Sequence, residues 1–296
     1  MPGIRKYLKI VLLLVLGLLS ATPAVAGTGA NPSLWHVHGP RGDAYLLGSI
    51  HILPPGVNWR SPEIASAISR SEIFVFEVPQ DAKAIAQLQR LMAEHGYLPE
   101  GQGLRASLHP DAQHDFDTAL AAAGLPLTAI DRDRPWLAGL QLMFAQTIRQ
   151  KFDPGNGVDA VLMAEAGRNK KQMRYLETIP QQFALLAPDD HKLEMEEFES
   201  GLKDLRDVTA EIQPLVDAWS NGDQKQLDTL VNGDLDDFPA ARKVLLDDRN
   251  QAWVPKIAAM LREKHTFFIT VGAGHLTGPK GVPALLRAAG YTVDGP

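Results

Sequence analysis

Two stretches of this chain share one design, and few folds accommodate both. Ala44-Tyr-Leu-Leu-Gly48-Ser-Ile-His51-Ile-Leu53 is an apolar run that ends in Gly-x-x-His. Thr266-Phe-Phe-Ile-Thr-Val-Gly272-Ala-Gly-His275-Leu does the same near the other end of the chain. A run of β-branched and aromatic residues followed by glycine is a buried strand entering a tight turn. Each turn then delivers one imidazole just past the carboxyl end of its strand, the edge where open α/β sheets bind ligands. The spacing predicts that the two strands are neighbours, with His51 and His275 at one site.

A third strand, Ile73-Phe-Val-Phe-Glu77-Val78, is continuously apolar and ends on a carboxylate. Such a run implies burial on both faces, and a buried carboxylate is costly unless it is paired or bound to a metal. Glu77 therefore has two readings: a strand-end glutamate that faces solvent or pairs with an arginine, or a third functional side chain beside His51. His51, Glu77 and His275 make a set of the kind that holds a catalytic divalent ion and leaves a coordination position open for water. With nitrogen and oxygen donors only, zinc, manganese, cobalt and iron all fit. A metal-free arrangement serves equally, with Glu77 orienting one histidine as general base.

Other candidates stand around this set. Arg249-Asn250 precedes the helix that feeds the His275 strand, and Arg249 is either an oxyanion stabiliser or a surface arginine. Ser49 is either a turn hydrogen-bonder or a nucleophile. Asp159 falls in the first turn of a helix beginning at Val158, where the helix dipole favours a carboxylate. His275, following glycines, is expected to project into a cleft, so that truncating it barely alters stability.

Around these elements the pattern is α/β. Leu34–Val37 reads as a first strand, with His36 and His38 as ordinary strand residues, and Gly39–Asp43 as a hairpin turn. Ser61-Pro62 opens a helix. Further helices are expected from Ala82 to about His95, from His109-Pro110 to Ala123, from Asp133 to about Gln150, and through Gln213–Asn221, Gln224–Val231 and Pro239–Arg249. Met173–Glu177 and Tyr291–Val293 are short strands. The acidic stretch from Asp189 to Glu199 reads as a solvated helix face. The expected fold is a single α/β domain over residues 27–296. Its mixed central sheet carries the two strand–Gly-x-x-His units as pseudo-symmetric halves, with a large helical insertion between Glu177 and Arg249.

The N-terminal 26 residues follow a different logic. Arg5, Lys6 and Lys9 precede the apolar run Ile10–Leu19, and Ala24-Val25-Ala26 supplies an A-x-A cleavage site. That is the pattern of a Sec-type signal peptide, which predicts a periplasmic or secreted protein without stable membrane insertion after cleavage. Removal of those cations takes the formal charge from −6 to −9. An acidic surface without a basic run argues against nucleic acid as a partner. The chain has no cysteine, which excludes disulfides, thiolate catalysis and zinc–cysteine sites.

Taken in order, Gly48-Ser-Ile-His51, Glu77, Pro135-Trp136, Gly157-Val-Asp159, Leu176-Glu-Thr178 with Gln182, Arg249-Asn250 and Val271-Gly-Ala-Gly-His275-Leu-x-Gly278 resemble the TraB/GumN family over nearly the whole mature chain. The resemblance implies kinship with the Tiki-like metalloproteases, and more distantly with erythromycin-esterase-like and haem-binding ChaN-like folds. It matches His51, Glu77 and His275 to the family's catalytic motif, and Arg249 and Asn250 to a family polar pair. What it implies is a divalent metal (Mn, Co or Zn) and a peptide or small-molecule substrate, with hydrolysis of a peptide bond foremost. Two alternatives stay open: a non-enzymatic binder of haem or metal, and a metal-free ester hydrolase.

Overall fold

The computed structural model describes residues 29–187, 190–206, 208–233, 235 and 238–296. The expected signal peptide and its cleavage point after Ala26 lie outside the described residues. The fold class is the expected α/β, with one mixed sheet. Its strands are β1 (Leu34–His38), β2 (Asp43–Ser49), β3 (Ile73–Phe76), β4 (Gln172–Tyr175), β5 (Thr266–Gly272) and β6 (Thr292–Asp294), in the spatial order β4-β3-β5-β2-β1-β6. The four strands β4, β3, β5 and β2 run parallel, while β1 is antiparallel to both β2 and β6.

Alternation along the strands builds the core. Trp35, Val37, Ala44, Leu46, Val75, Phe267, Ile269, Val271 and Val293 share one buried cluster with Trp253, Ile257, Leu276 and Leu286. Residues two apart on a strand face the same way, so this is one face of the sheet, covered by the Asp248–Met260 and Val282–Ala288 helices. The intervening residues Phe74, Phe76 and Phe268 are also buried. The central strands are thus covered on both sides, as a parallel sheet requires.

The chain divides into two compact units. One holds the sheet, and comprises the described residues up to Pro79 with Asp153–Thr178 and Gln213–Pro296. The other, formed by Gln80–Phe152 and Ile179–Ile212, is helical. The helical part expected only after Glu177 therefore comes from two segments, because the β3-to-β4 crossover carries its own helices as well. Within it, Ala82–His95, Pro110–Ala123 and Pro135–Arg149 fall where their caps predict, with Gly124 at φ 67° ending the second. One expectation fails here. Glu194 does not lie on a solvated face but is buried, bonded to Arg134 at 2.7 Å and to the Trp136 N–H at 3.0 Å. The helix beginning at Pro135 has a backbone N–H to satisfy at its first turn, and Glu194 supplies the acceptor. Among the described residues, no helix is long and apolar enough to cross a membrane.

Candidate active site

The two Gly-x-x-His units lie on adjacent parallel strands. Gly48 of β2 pairs with Val271 of β5, and Ser49 with Gly272. Gly48 is required by this closeness, since a Cβ there would stand 3.0 Å from Ala273 Cα. Past Ser49 the chain bends to His51, and past Gly272 it enters a short 3-10 turn, Ala273–Leu276, that carries His275. Glu77 follows β3, the other neighbour of β5, and its Oε1 accepts the Gly272 N–H at 2.7 Å. All three sequence-picked residues therefore sit at one edge of the sheet, within the sheet-bearing unit.

Each histidine is fixed in the same way. His51 Nδ1 lies 2.6 Å from Asp159 Oδ2, and His275 Nδ1 lies 2.6 Å from Asn250 Oδ1. Both partners accept, so each ring carries its proton on Nδ1. Asp159 also accepts a hydrogen bond from the Ser49 hydroxyl. That is the local hydrogen bonding that one reading of Ser49 expects. Asp159 is brought in by the Val158–Arg168 helix, whose Val158 N–H bonds to the Ile50 carbonyl. Its role as a partner of His51 was not legible in the sequence, where a first-turn aspartate reads as a dipole effect.

Arg249 is the centre of the site and is buried. It lies in the first turn of the Asp248–Met260 helix, not before it. Its guanidinium bonds Glu77 Oε2 at 2.5 Å and both oxygens of Glu177 at 2.7 and 2.9 Å. Its Nη1 also approaches His275 Nε2 to 2.9 Å. A guanidinium only donates, so this nitrogen of His275 accepts and the ring is neutral. Trp253 packs against both, 4.4 Å from the His275 ring and 4.9 Å from the guanidinium, and its N–H bonds Glu177. The surface-arginine reading is excluded, and the arginine-paired reading of Glu77 is the observed one.

The electrostatics follow from burial. Burial pushes the Glu77 carboxyl up, against the pull of Arg249 and His51. It drives His275 well down, helped by the positive charges of Arg249 and His51. Burial works against the charge of Arg249, but Glu77 and Glu177 outweigh it and hold the guanidinium above its ordinary value. The expectation that His275 projects into a cleft with few contacts is also overturned. It is fully buried against Trp253, Arg249 and Asn250, because the 3-10 turn folds it back under the helix.

A divalent ion is the group this donor set suggests. Its chemistry fits in kind: two imidazoles and a carboxylate, each ring locked through Nδ1 by a side-chain oxygen, as ligating histidines are. In this geometry the cation against His275 and Glu77 is the Arg249 guanidinium. Among the described residues the group of histidine and acidic side chains whose ligand atoms all lie within 4.8 Å is a different one, His36, His38 and Asp294. Among the described residues, the ligand atoms of His51, Glu77 and His275 do not form such a group.

Fold and site together define an α/β protein with two histidines fixed at one edge of its parallel strands. The chain belongs to the TraB/PrgY/gumN family, whose profile matches residues 33–295. It is 23% identical over 296 residues to an uncharacterized protein of Treponema pallidum (strain Nichols), covering 93% of this chain and 88% of that one. It is also 24% identical over 308 residues to the Danio rerio protein named Metalloprotease TIKI1, covering 85% of this chain and 60% of that relative. No solved structure matches.

Proposed function

We propose that this chain is an exported, metal-dependent hydrolase that cleaves peptide bonds. The observation that carries the reading is the matched fixing of the two imidazoles, His51 by Asp159 and His275 by Asn250, on neighbouring strands. His51, Glu77 and His275 would hold the ion. When bound, a divalent cation polarises a carbonyl and makes a water acidic enough to attack at neutral pH. Asp159 keeps the His51 proton on Nδ1, and Asn250 does the same for His275, so that Nε2 of each ring is the basic nitrogen. Arg249 balances the charge of Glu77 and Glu177, and its N–H groups are taken up by those carboxylates, the Leu245 carbonyl and His275. The export part of the proposal rests on the pattern of the first 26 residues.

A second reading is favoured by one specific contact, the 2.9 Å approach of Arg249 to His275 Nε2. Here the guanidinium is the resident cation and the His51–Asp159 pair is the general base of a metal-free hydrolase. One experiment separates the two. The protein is purified from an exporting host, its metal content is measured beside that of His51→Ala, and cleavage of a peptide library is followed with and without chelator. The first reading expects bound Mn, Co or Zn that His51→Ala lacks, and cleavage that stops on chelation and returns with the ion. Cleavage that survives full chelation sinks it in favour of the second.

A further inference from the structure

The opposite end of the sheet carries a second constellation that the hydrolase reading does not use. His36 and His38 are two apart on β1 and so share a face. That face is the half-exposed one, since Trp35 and Val37 between and before them are buried. β1 lies between β2 and β6, and the register sets Asp43 of β2 opposite His38 and Asp294 of β6 opposite His36. Paired residues in antiparallel strands point the same way, so two imidazoles and two carboxylates occupy one patch. The close approaches are diagonal. His38 Nε2 stands 2.7 Å from Asp294 Oδ2, and His36 Nε2 stands 3.2 Å from Asp43 Oδ2. The two imidazole centroids are 4.0 Å apart, and Tyr45 stacks on His36 at 4.5 Å from the other side.

A second observation sets this apart from a chance surface cluster. His36 Nε2 is shielded from solvent and makes no hydrogen bond, despite its nearness to Asp43. A shielded ring nitrogen without a partner is costly. The ligand atoms of His36, His38 and Asp294 all lie within 4.8 Å of one another. Small rotations of half-exposed side chains bring such a group to the ~3.3 Å spacing of a tetrahedron built on ~2.0–2.1 Å metal–ligand bonds.

We propose that His36, His38 and Asp294, with Asp43 completing the set, form a surface site for a first-row divalent cation that ties the C-terminal strand β6 to β1 and β2. Nitrogen and oxygen donors without sulfur suit zinc, nickel, copper and cobalt. The site is separate from the candidate active site, and its role is structural. β6 has three residues and one strand neighbour, so a cross-link from its Asp294 secures an edge held by few backbone bonds. Binding an ion only in the folded state raises stability by mass action.

The test is titration of purified protein with Zn²⁺ alone, read by calorimetry and by thermal melting, on the wild type, His38→Ala and Asp294→Asn. The expected result is that both variants take up one Zn²⁺ fewer than the wild type and lose a Zn²⁺-induced rise in melting temperature of several degrees. Metal-free melting curves of the three proteins establish that both variants are folded, and the conservative Asp294→Asn replacement carries the test if His38→Ala is not. Equal stoichiometry and equal melting shifts in all three proteins overturn the proposal, as does wild-type uptake at this site only above about millimolar Zn²⁺.

Discussion

Arg249 Nη1 lies 2.9 Å from Nε2 of His275, so the most buried imidazole of the candidate site has its basic nitrogen turned toward a permanent cation. The same guanidinium neutralises Glu77 and Glu177. Replacing Arg249 with Met removes the charge while keeping a similar stem. Breaking a buried ion pair from one side costs about 3–5 kcal/mol. Arg249→Met is therefore expected to lower the denaturant midpoint strongly. Arg249→Lys, which keeps a charge but loses the planar fork, should fall between. A midpoint unchanged in Arg249→Met would show that the pairs contribute nothing net.

His275→Ala is expected to lose both turnover and stability. It opens a hole beside Trp253 and strips Asn250 and Arg249 of a partner. Large-to-small changes in a core cost about 2–5 kcal/mol, and loss of an acid–base group costs roughly 10²–10⁴-fold in rate. Denaturation curves and turnover per folded molecule, measured on the same samples, separate the two effects. Normal turnover in the folded fraction would remove His275 from the chemistry.

Asp159→Ala tests a residue that acts through His51. Removing an outer partner of a functional histidine typically costs about 10–100-fold in activity or metal affinity. The expected signature is a fall in kcat and bound metal with KM nearly unchanged. A change in KM alone would mean that Asp159 serves the substrate instead.

Gly157→Ala should disturb the site without touching a functional side chain. Gly157 has an ordinary φ of −58°, so the backbone tolerates alanine. Its new Cβ, however, would collide with the carbonyl oxygen of His51. Melting temperature and activity are expected to fall together, whereas Gly167→Ala, with nothing near its Cβ, should leave both in place.

Asp133, in the helical unit, gives a pH dependence that owes nothing to the site. It is buried and accepts a hydrogen bond from Gln141 at 2.7 Å. Burial raises its carboxyl to about 7, against about 3.9 in an unfolded chain. Between those values the folded protein binds the extra proton, so stability from this group is full near pH 4 and is lost as pH rises to about 7. Asp133→Asn abolishes the titration. The variant should gain on the wild type from pH 4 to 8, by at most about tenfold in the folding constant per pH unit. A stability difference that does not vary with pH would contradict it.

The strands that carry the site were legible because both needed features lie in the local sequence. The apolar run at 44–47, the β-branched and aromatic run at 266–271 and the glycines after them mark buried strands and sharp turns. Caps such as Ser61-Pro62 and stops such as Gly124 were equally local. What the sequence concealed depended on partners brought from a distance. Glu194 looked solvated because its partner Arg134 lies on another helix. Asp159 looked like a dipole residue because its target is on a strand end more than a hundred positions earlier. His36 and His38 looked ordinary because the carboxylates flanking them come from two other strands. His275 looked exposed because nothing local reveals that Trp253 will cover it.

The pairing of β2 with β5 has a consequence for when this protein acquires its chemistry. His51 is made more than two hundred residues before His275, and the two strands can join only after Thr266–Gly272 has emerged. Contacts this distant in sequence form slowly. Until they form, Glu77 lacks the Gly272 amide and the Arg249 side chain that hold it. A chain synthesised no further than Asp159 thus carries His51 without its counterpart, and the assembled site exists only once β2 and β5 are paired.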